Sequence, residues 1–269
     1  MKLAIMHPSV LAKGLDDLGE LARRGIAGVQ ADPGLFVDPE GRLRQPRAAA
    51  AKAFEDAGIE VPAWCAYHSL IGPQELVAAS VTAQGKVIRV ADRFRLLAGE
   101  DSRPAVCTKT GDPSLYPDRS PGSLWGQLRE AVADLAAQAA KHNACLAVEP
   151  ARGHIVDGSV AARRLLDQVA SNHLGICFDP ANVCGDRDHL GRAIDLLSDA
   201  IVLAHAKDVV FGPNGKVADC PPAGKGQLDY PKFIELCSSL SKCRYLVLEY
   251  LHTPEQAEEA IAFVRGLLQ

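Results

Sequence analysis

The chain has 269 residues, 48% of them hydrophobic and 23% charged, with a formal net charge of −4. That length suits one large α/β domain, and the acidic balance excludes the basic footprint of a nucleic-acid-binding surface. No window reaches the apolar length of a membrane span, and MKLAIMHPSV lacks the apolar region and cleavage site of a secretory signal, so a cytoplasmic protein is expected.

Short apolar runs recur along the chain, each followed by a loop and a helical pattern. In order they are KLAIM from Lys2, AGVQAD from Ala27, VPAWCAYH from Val61, PAVCTKT from Pro104, ACLAVEP from Ala144, LGICFDP from Leu174, IVLAHAKD from Ile201 and RYLVLEY from Arg244. Most are continuous rather than alternating, as strands covered on both faces should be. Between them, Leu124, Leu128, Val132 and Leu135 repeat at helical spacing, as do Ala257, Ile261, Val264 and Leu268. Ser123 is the expected N-cap of the first of these helices, and Gly25 and Gly58 mark helix exits. The helical stretch from Pro73 to Leu97 is expected to divide at Gly85. The eight cysteines form no CxxC pair and read as packing residues rather than a disulfide framework.

Eight strand-then-helix units predict an α/β fold, a (β/α)8 TIM barrel forming a single domain over residues 1–269. A doubly wound open sheet is the alternative, but HPSVLAKG after the first run has no GxGxxG turn. The active site of such a barrel lies at the C-terminal strand ends. Those ends carry His7, Asp32, His68, Lys109, Glu149, Asp179, His205 and Glu249. Converging carboxylates repel one another and resist desolvation, and a divalent cation removes both problems. Glu149, Asp179, His205 and Glu249 are therefore the expected ligands of one divalent metal, with Mn²⁺, Mg²⁺, Co²⁺ and Zn²⁺ all suited to the donor set. For His7, Asp32, His68 and Lys109, lining a substrate pocket and serving as solvated loop residues both stay open.

VEP at Glu149, CFDPANV around Asp179, HAKD at His205, VLEY at Glu249 and AGKGQLDYPKF from Ala223 resemble the motifs of the xylose isomerase-like sugar isomerase/epimerase superfamily. Its members include ketose 3-epimerases, hydroxypyruvate isomerases, inosose isomerases and dehydratases, and dehydroshikimate dehydratases. The resemblance covers Ala144 to Tyr250 best. It implies that the four residues hold one metal, that Glu149 and Glu249 face the substrate as an acid–base pair, and that Asp208 is a neighbouring polar support. Many relatives carry histidine where this chain has Asn182, which can hydrogen-bond a hydroxyl but does not titrate near neutral pH.

The expected activity is metal-dependent isomerisation or epimerisation of a small sugar, ketose or related polyol ketone, by proton abstraction beside a metal-bound carbonyl. Arg152, His154 and Lys225 are candidates for polar ends of a sugar or sugar-phosphate substrate, although AGKGQ lacks Walker spacing. The main alternative is a dehydratase of inosose or dehydroshikimate type on the same ligands. An endonuclease IV-like phosphodiesterase and a non-catalytic sugar-binding barrel are weaker. Neither nucleic acid nor a membrane is an expected partner, and a homo-oligomer stays open.

Overall fold

A computed structural model describes residues 1–99, 103–184 and 189–269. Eight parallel strands close into a barrel: β1 (Lys2–His7), β2 (Gly28–Ala31), β3 (Glu60–Cys65), β4 (Ala105–Thr108), β5 (Cys145–Val148), β6 (Leu174–Phe178), β7 (Ile201–Ala206) and β10 (Tyr245–Leu248). Each pairs with its sequence neighbour, and β1 meets β10 with Lys2 opposite Tyr245 to close the ring. Helices α1 (Leu18–Arg23), α2 (Arg47–Ala57), α3 (Gln74–Arg93), α4 (Pro121–Lys141), α5 (Ser159–Val169), α6 (Pro180–Val183), α7 (Leu190–Leu197), α8 (Tyr230–Ser238) and α9 (Pro254–Leu267) connect the strands. A small hairpin, β8 (Val210–Phe211) with β9 (Val217–Asp219), follows β7.

The alternation of strand side chains separates two packing layers. Ala4, Ala63, Ala105, Cys107, Ala147, Cys177, Leu203 and Val247 fill the barrel lumen. Leu3, Ile5, Val106, Leu146, Val148, Ile176, Phe178, Leu246 and Leu248 face outward and join a second cluster with helix residues such as Leu128, Val132, Leu135, Ile261 and Val264. The lumen is thus packed with small side chains, which leaves room at its C-terminal mouth for long polar ones.

Two local expectations are corrected. Helix α3 runs through Gly85 without a break, ending in a 3₁₀ turn at Arg95–Ala98. Gly85 is buried on the side of α3 that meets the Gln138 side chain of α4, so the glycine sits in a helix–helix contact rather than at a break. Helix α4 is capped by Ser120, whose side chain accepts from the Ser123 N–H, with Pro121 in the first turn. Pro121 has no N–H to satisfy and its φ is already helical, which fixes the start three residues earlier than expected. No disulfide joins any of the eight cysteines, all of which lie among the described residues.

Candidate metal centre

Strand alternation carries the lumen-facing positions to the C-terminal mouth. On β5 the series Cys145, Ala147 leads to Glu149, on β6 Gly175, Cys177 leads to Asp179, on β7 Leu203 leads to His205, and on β10 Tyr245, Val247 leads to Glu249. All four polar residues are buried. Asp179, His205 and Glu249 offer donor atoms within 4.8 Å of one another, and Glu149, Cys177 and His205 do the same. His205 Nδ1 lies 3.4 Å from Glu249 Oε2 and 3.8 Å from Glu149 Oε2. Among the described residues, buried His205 Nδ1 and Glu149 Oε2 have no hydrogen-bond partner. Unpartnered buried atoms of this kind could hold a ligand, and the carboxylate–imidazole set suits one divalent ion.

Each group is held from behind. His205 Nε2 is 2.9 Å from Gln30 Oε1 and 3.2 Å from Cys177 Sγ, so the ring is oriented with Nδ1 toward the carboxylates. Gln30 in turn donates to the Tyr67 hydroxyl at 2.9 Å. Asp179 caps α6, its Oδ1 accepting from the Ala181 and Asn182 N–H groups. Asn182 Nδ2 donates to Glu149 Oε1 at 2.9 Å, and Lys109 Nζ lies 3.2 Å from the same oxygen.

Lys207 completes the cluster. Its ammonium is 2.6 Å from Asp179 Oδ2 and 3.1 Å from Glu249 Oε1, with the side chain only 2% exposed. Burial raises the carboxyl pKa of Glu149, and the charge of Glu249 adds to that rise against the pull of His205 and Lys109. Burial pushes Glu249 up as well, but His205 and Lys207 outweigh it and hold its carboxyl below the ordinary range. Burial raises Asp179 despite Lys207.

The remaining expected residues divide by position. Lys109 faces the lumen, its Nζ 5.3 Å from the Tyr67 ring centroid, and Asn182 touches Glu149. Arg152 braces the loops around the mouth, donating to the Ala181 carbonyl and lying 3.1 Å from Cys220 Sγ. His154 is half-buried and accepts from the Gly111 N–H at 2.9 Å. Asp208 accepts from the N–H groups of Val209, Gly224 and Leu228. Lys225 is exposed and paired with Glu259 at 2.8 Å. Asp32 is exposed and caps a 3₁₀ turn through the Gly34 N–H.

His7 and His68 stand outside the cluster. By alternation His7 shares the outward face of β1 with Leu3 and Ile5, while Met6 faces the lumen. His68 is exposed in the loop after β3, and its neighbour Tyr67 packs inward.

Sequence reasoning missed Gln30, Tyr67, Cys177 and Lys207. The two-residue period was the available signal: counting back or forward by two from a site residue reaches Cys177 and Lys207. A cavity of about 280 Å³ opens beside Glu249, lined by Met6, Pro8, Ser9, Leu248, Tyr250 and His252. A larger one of about 480 Å³, lined by Arg103, Lys242 and Arg244, lies at the opposite mouth, away from the carboxylates.

This is the architecture of a (β/α)8 barrel with a polar centre at the C-terminal mouth. The family described as xylose isomerase-like TIM barrel matches residues 18–267, and the chain belongs to it. No curated protein matches by sequence. Among solved structures, a 3-keto-D-glucoside 4-epimerase from E. coli superposes with a TM-score of 0.79 at 16% identity, covering 100% of this chain and 99% of that one. A probable 3-DHS dehydratase involved in petrobactin synthesis in Bacillus anthracis gives 0.75 at 16%, covering 100% and 98%. The IOLI protein with a binding zinc atom gives 0.76 at 15%, covering 100% and 96%. At these identities the likeness establishes the fold.

Proposed function

We propose that the chain is a divalent-metal-dependent isomerase or epimerase of a small sugar, ketose or related polyol ketone. The observation that carries this reading is a pair of buried triads at the C-terminal end of the lumen, Asp179–His205–Glu249 and Glu149–Cys177–His205, joined at His205, with His205 Nδ1 and Glu149 Oε2 lacking a hydrogen-bond partner among the described residues. Similar barrels that include a named sugar epimerase and a zinc-containing protein support it.

In this reading the four residues hold the ion, which supplies Lewis-acid polarisation of a carbonyl and makes the adjacent C–H more acidic. The protein's own groups divide the proton work. Glu249, kept ionised by His205 and Lys207, is suited to accept the substrate proton at a carboxylate oxygen. Glu149, raised by burial and by Glu249, is suited to carry a proton at the opposite side. Asn182 and Lys109 fix the Glu149 carboxylate, and Lys109 adds positive charge where negative charge develops on the substrate. Leu248, Met6 and Pro8 line the cavity beside Glu249.

Incubation of the Mn²⁺-loaded protein in D₂O with a panel of ketoses, inososes and keto acids, read by NMR, tests the reading. Deuterium gained at the carbon next to the carbonyl, with the carbon skeleton and all hydroxyls kept, is expected. Glu249→Gln should lower that incorporation by about 10²–10⁴-fold. Loss of a hydroxyl would assign the dehydratase alternative instead. Full incorporation by the metal-loaded Gln variant would remove Glu249 from the proton transfer.

A further inference from the structure

Three carboxylates converge at the mouth, and two of them share a single buried cation that the strand-end reading had not assigned. Lys207 follows His205 by two residues, so it continues the lumen-facing series of β7. Its Nζ contacts Asp179 Oδ2 and Glu249 Oε1, lies 3.5 Å from Asn182 Oδ1, and is 4.3 Å from the centroid of the Tyr250 ring. An ammonium has three N–H groups. Two ion pairs, to Asp179 and Glu249, and a hydrogen bond to the Asn182 amide oxygen surround it, so Lys207 is placed to hold protein groups rather than substrate.

We propose that Lys207 is an internal counter-cation: it holds Asp179 and Glu249 in ligating position in the metal-free protein and, by sharing those carboxylates, weakens the binding of the divalent ion. The proposal rests on the metal-centre reading above. Two buried carboxylates at the ends of the strands on either side of β7 repel each other, and removing a cation they share leaves that buried charge less compensated. A metal would relieve that repulsion, and so does Lys207. Once the ion is bound, both positive charges draw on the same oxygens and repel each other. Lys207 is thus a positioning residue that stabilises the metal-free state more than the loaded one. Asn182 extends the arrangement: its amide accepts from Lys207 and donates to Glu149, which links the third carboxylate to the same ammonium. An amide does both jobs without carrying charge.

The test compares the full chain as wild type, Lys207→Met and Lys207→Arg at pH 7.5, by thermal unfolding in EDTA and in MnCl₂ and by calorimetric titration with Mn²⁺. Lys207→Met should unfold well below wild type in EDTA, the gap should narrow in MnCl₂, and Mn²⁺ should bind roughly tenfold or more tightly. Lys207→Arg, which keeps the charge, should restore metal-free stability. A Met variant that folds only with Mn²⁺ also supports the proposal. Equal loss of stability in both conditions with unchanged Mn²⁺ affinity would show packing alone and overturn it, as would weaker Mn²⁺ binding. If the Met variant folds in neither condition, Lys207→Gln is read by the same criteria. A wild type that takes up no Mn²⁺ would instead overturn the metal reading, a result separable from a Lys207 variant that binds Mn²⁺ as wild type does.

Discussion

Glu149 and Glu249 are chemically alike and differ in their neighbours. Both face His205, but Glu249 is also met by the buried ammonium of Lys207, whereas Glu149 is met by the neutral amide of Asn182 and the partly exposed Lys109. In the proposed reaction that asymmetry, rather than residue type, would divide proton acceptor from proton donor. His7 shows the same principle in an apolar setting. It is fully buried, and neither ring nitrogen has a hydrogen-bond partner among the described residues. Burial lowers its pKa from 6.5 to about 4, against a smaller opposing pull from Asp17. The unfolded chain therefore takes up this proton near pH 6.5, and the folded one only near pH 4. The contribution is intact above pH 6.5 and shrinks as pH falls through that window, by about 2 kcal/mol at pH 5. Urea unfolding of wild type and His7→Leu at pH 7 and pH 5 checks this. The variant should lose less stability between the two pH values by about that amount. Loss of the same size in both proteins would mean that His7 stays paired or solvated.

Among the elements, the segment from Lys207 to Asp229 is tied together at several points by one side chain. Asp208 is buried and accepts three backbone N–H groups, those of Val209, Gly224 and Leu228. It ties the strand end to the glycine-containing loop, and a Cβ at Gly226 would lie 2.4 Å from Asp208 Oδ1 and 2.5 Å from the Val209 carbonyl. Asp229 then caps α8 through the Lys232 N–H. Asp208→Ala should cost roughly 3 kcal/mol in urea unfolding, since three donors lose a charged acceptor. A loss below about 0.5 kcal/mol, the range of an ordinary surface substitution, would show that the loop is held by other contacts. The sequence motif was legible here because a carboxylate and glycines are required at fixed spacings. The course of α3 was not, because Gly85 reads as a helix breaker until the position of Gln138 on another helix is known.

At the scale of the whole molecule, eight apolar runs and their terminal residues were enough to predict the barrel and a polar centre at one mouth. What they could not convey was which side of each strand end faces inward. His7 and His68 carry suggestive chemistry but stand one residue out of phase with the lumen, while Met6 and Tyr67 occupy the inward positions. Cys177 and Lys207 lie two residues from Asp179 and His205 and could have been reached by strand period, whereas Gln30 looks like an ordinary strand residue and acquires meaning only when the ring closes. The account as a whole requires that the charge gathered at this mouth be completed by an ion. Metal content and calorimetric titration of the EDTA-treated, refilled protein test that most directly, with Asp179→Ala/His205→Ala as the control. The account predicts one equivalent of Mn²⁺, Mg²⁺, Co²⁺ or Zn²⁺ in the wild type, lost in the doubly substituted but folded chain. A folded wild type that binds none of these ions, or a control that binds them equally well, would contradict it.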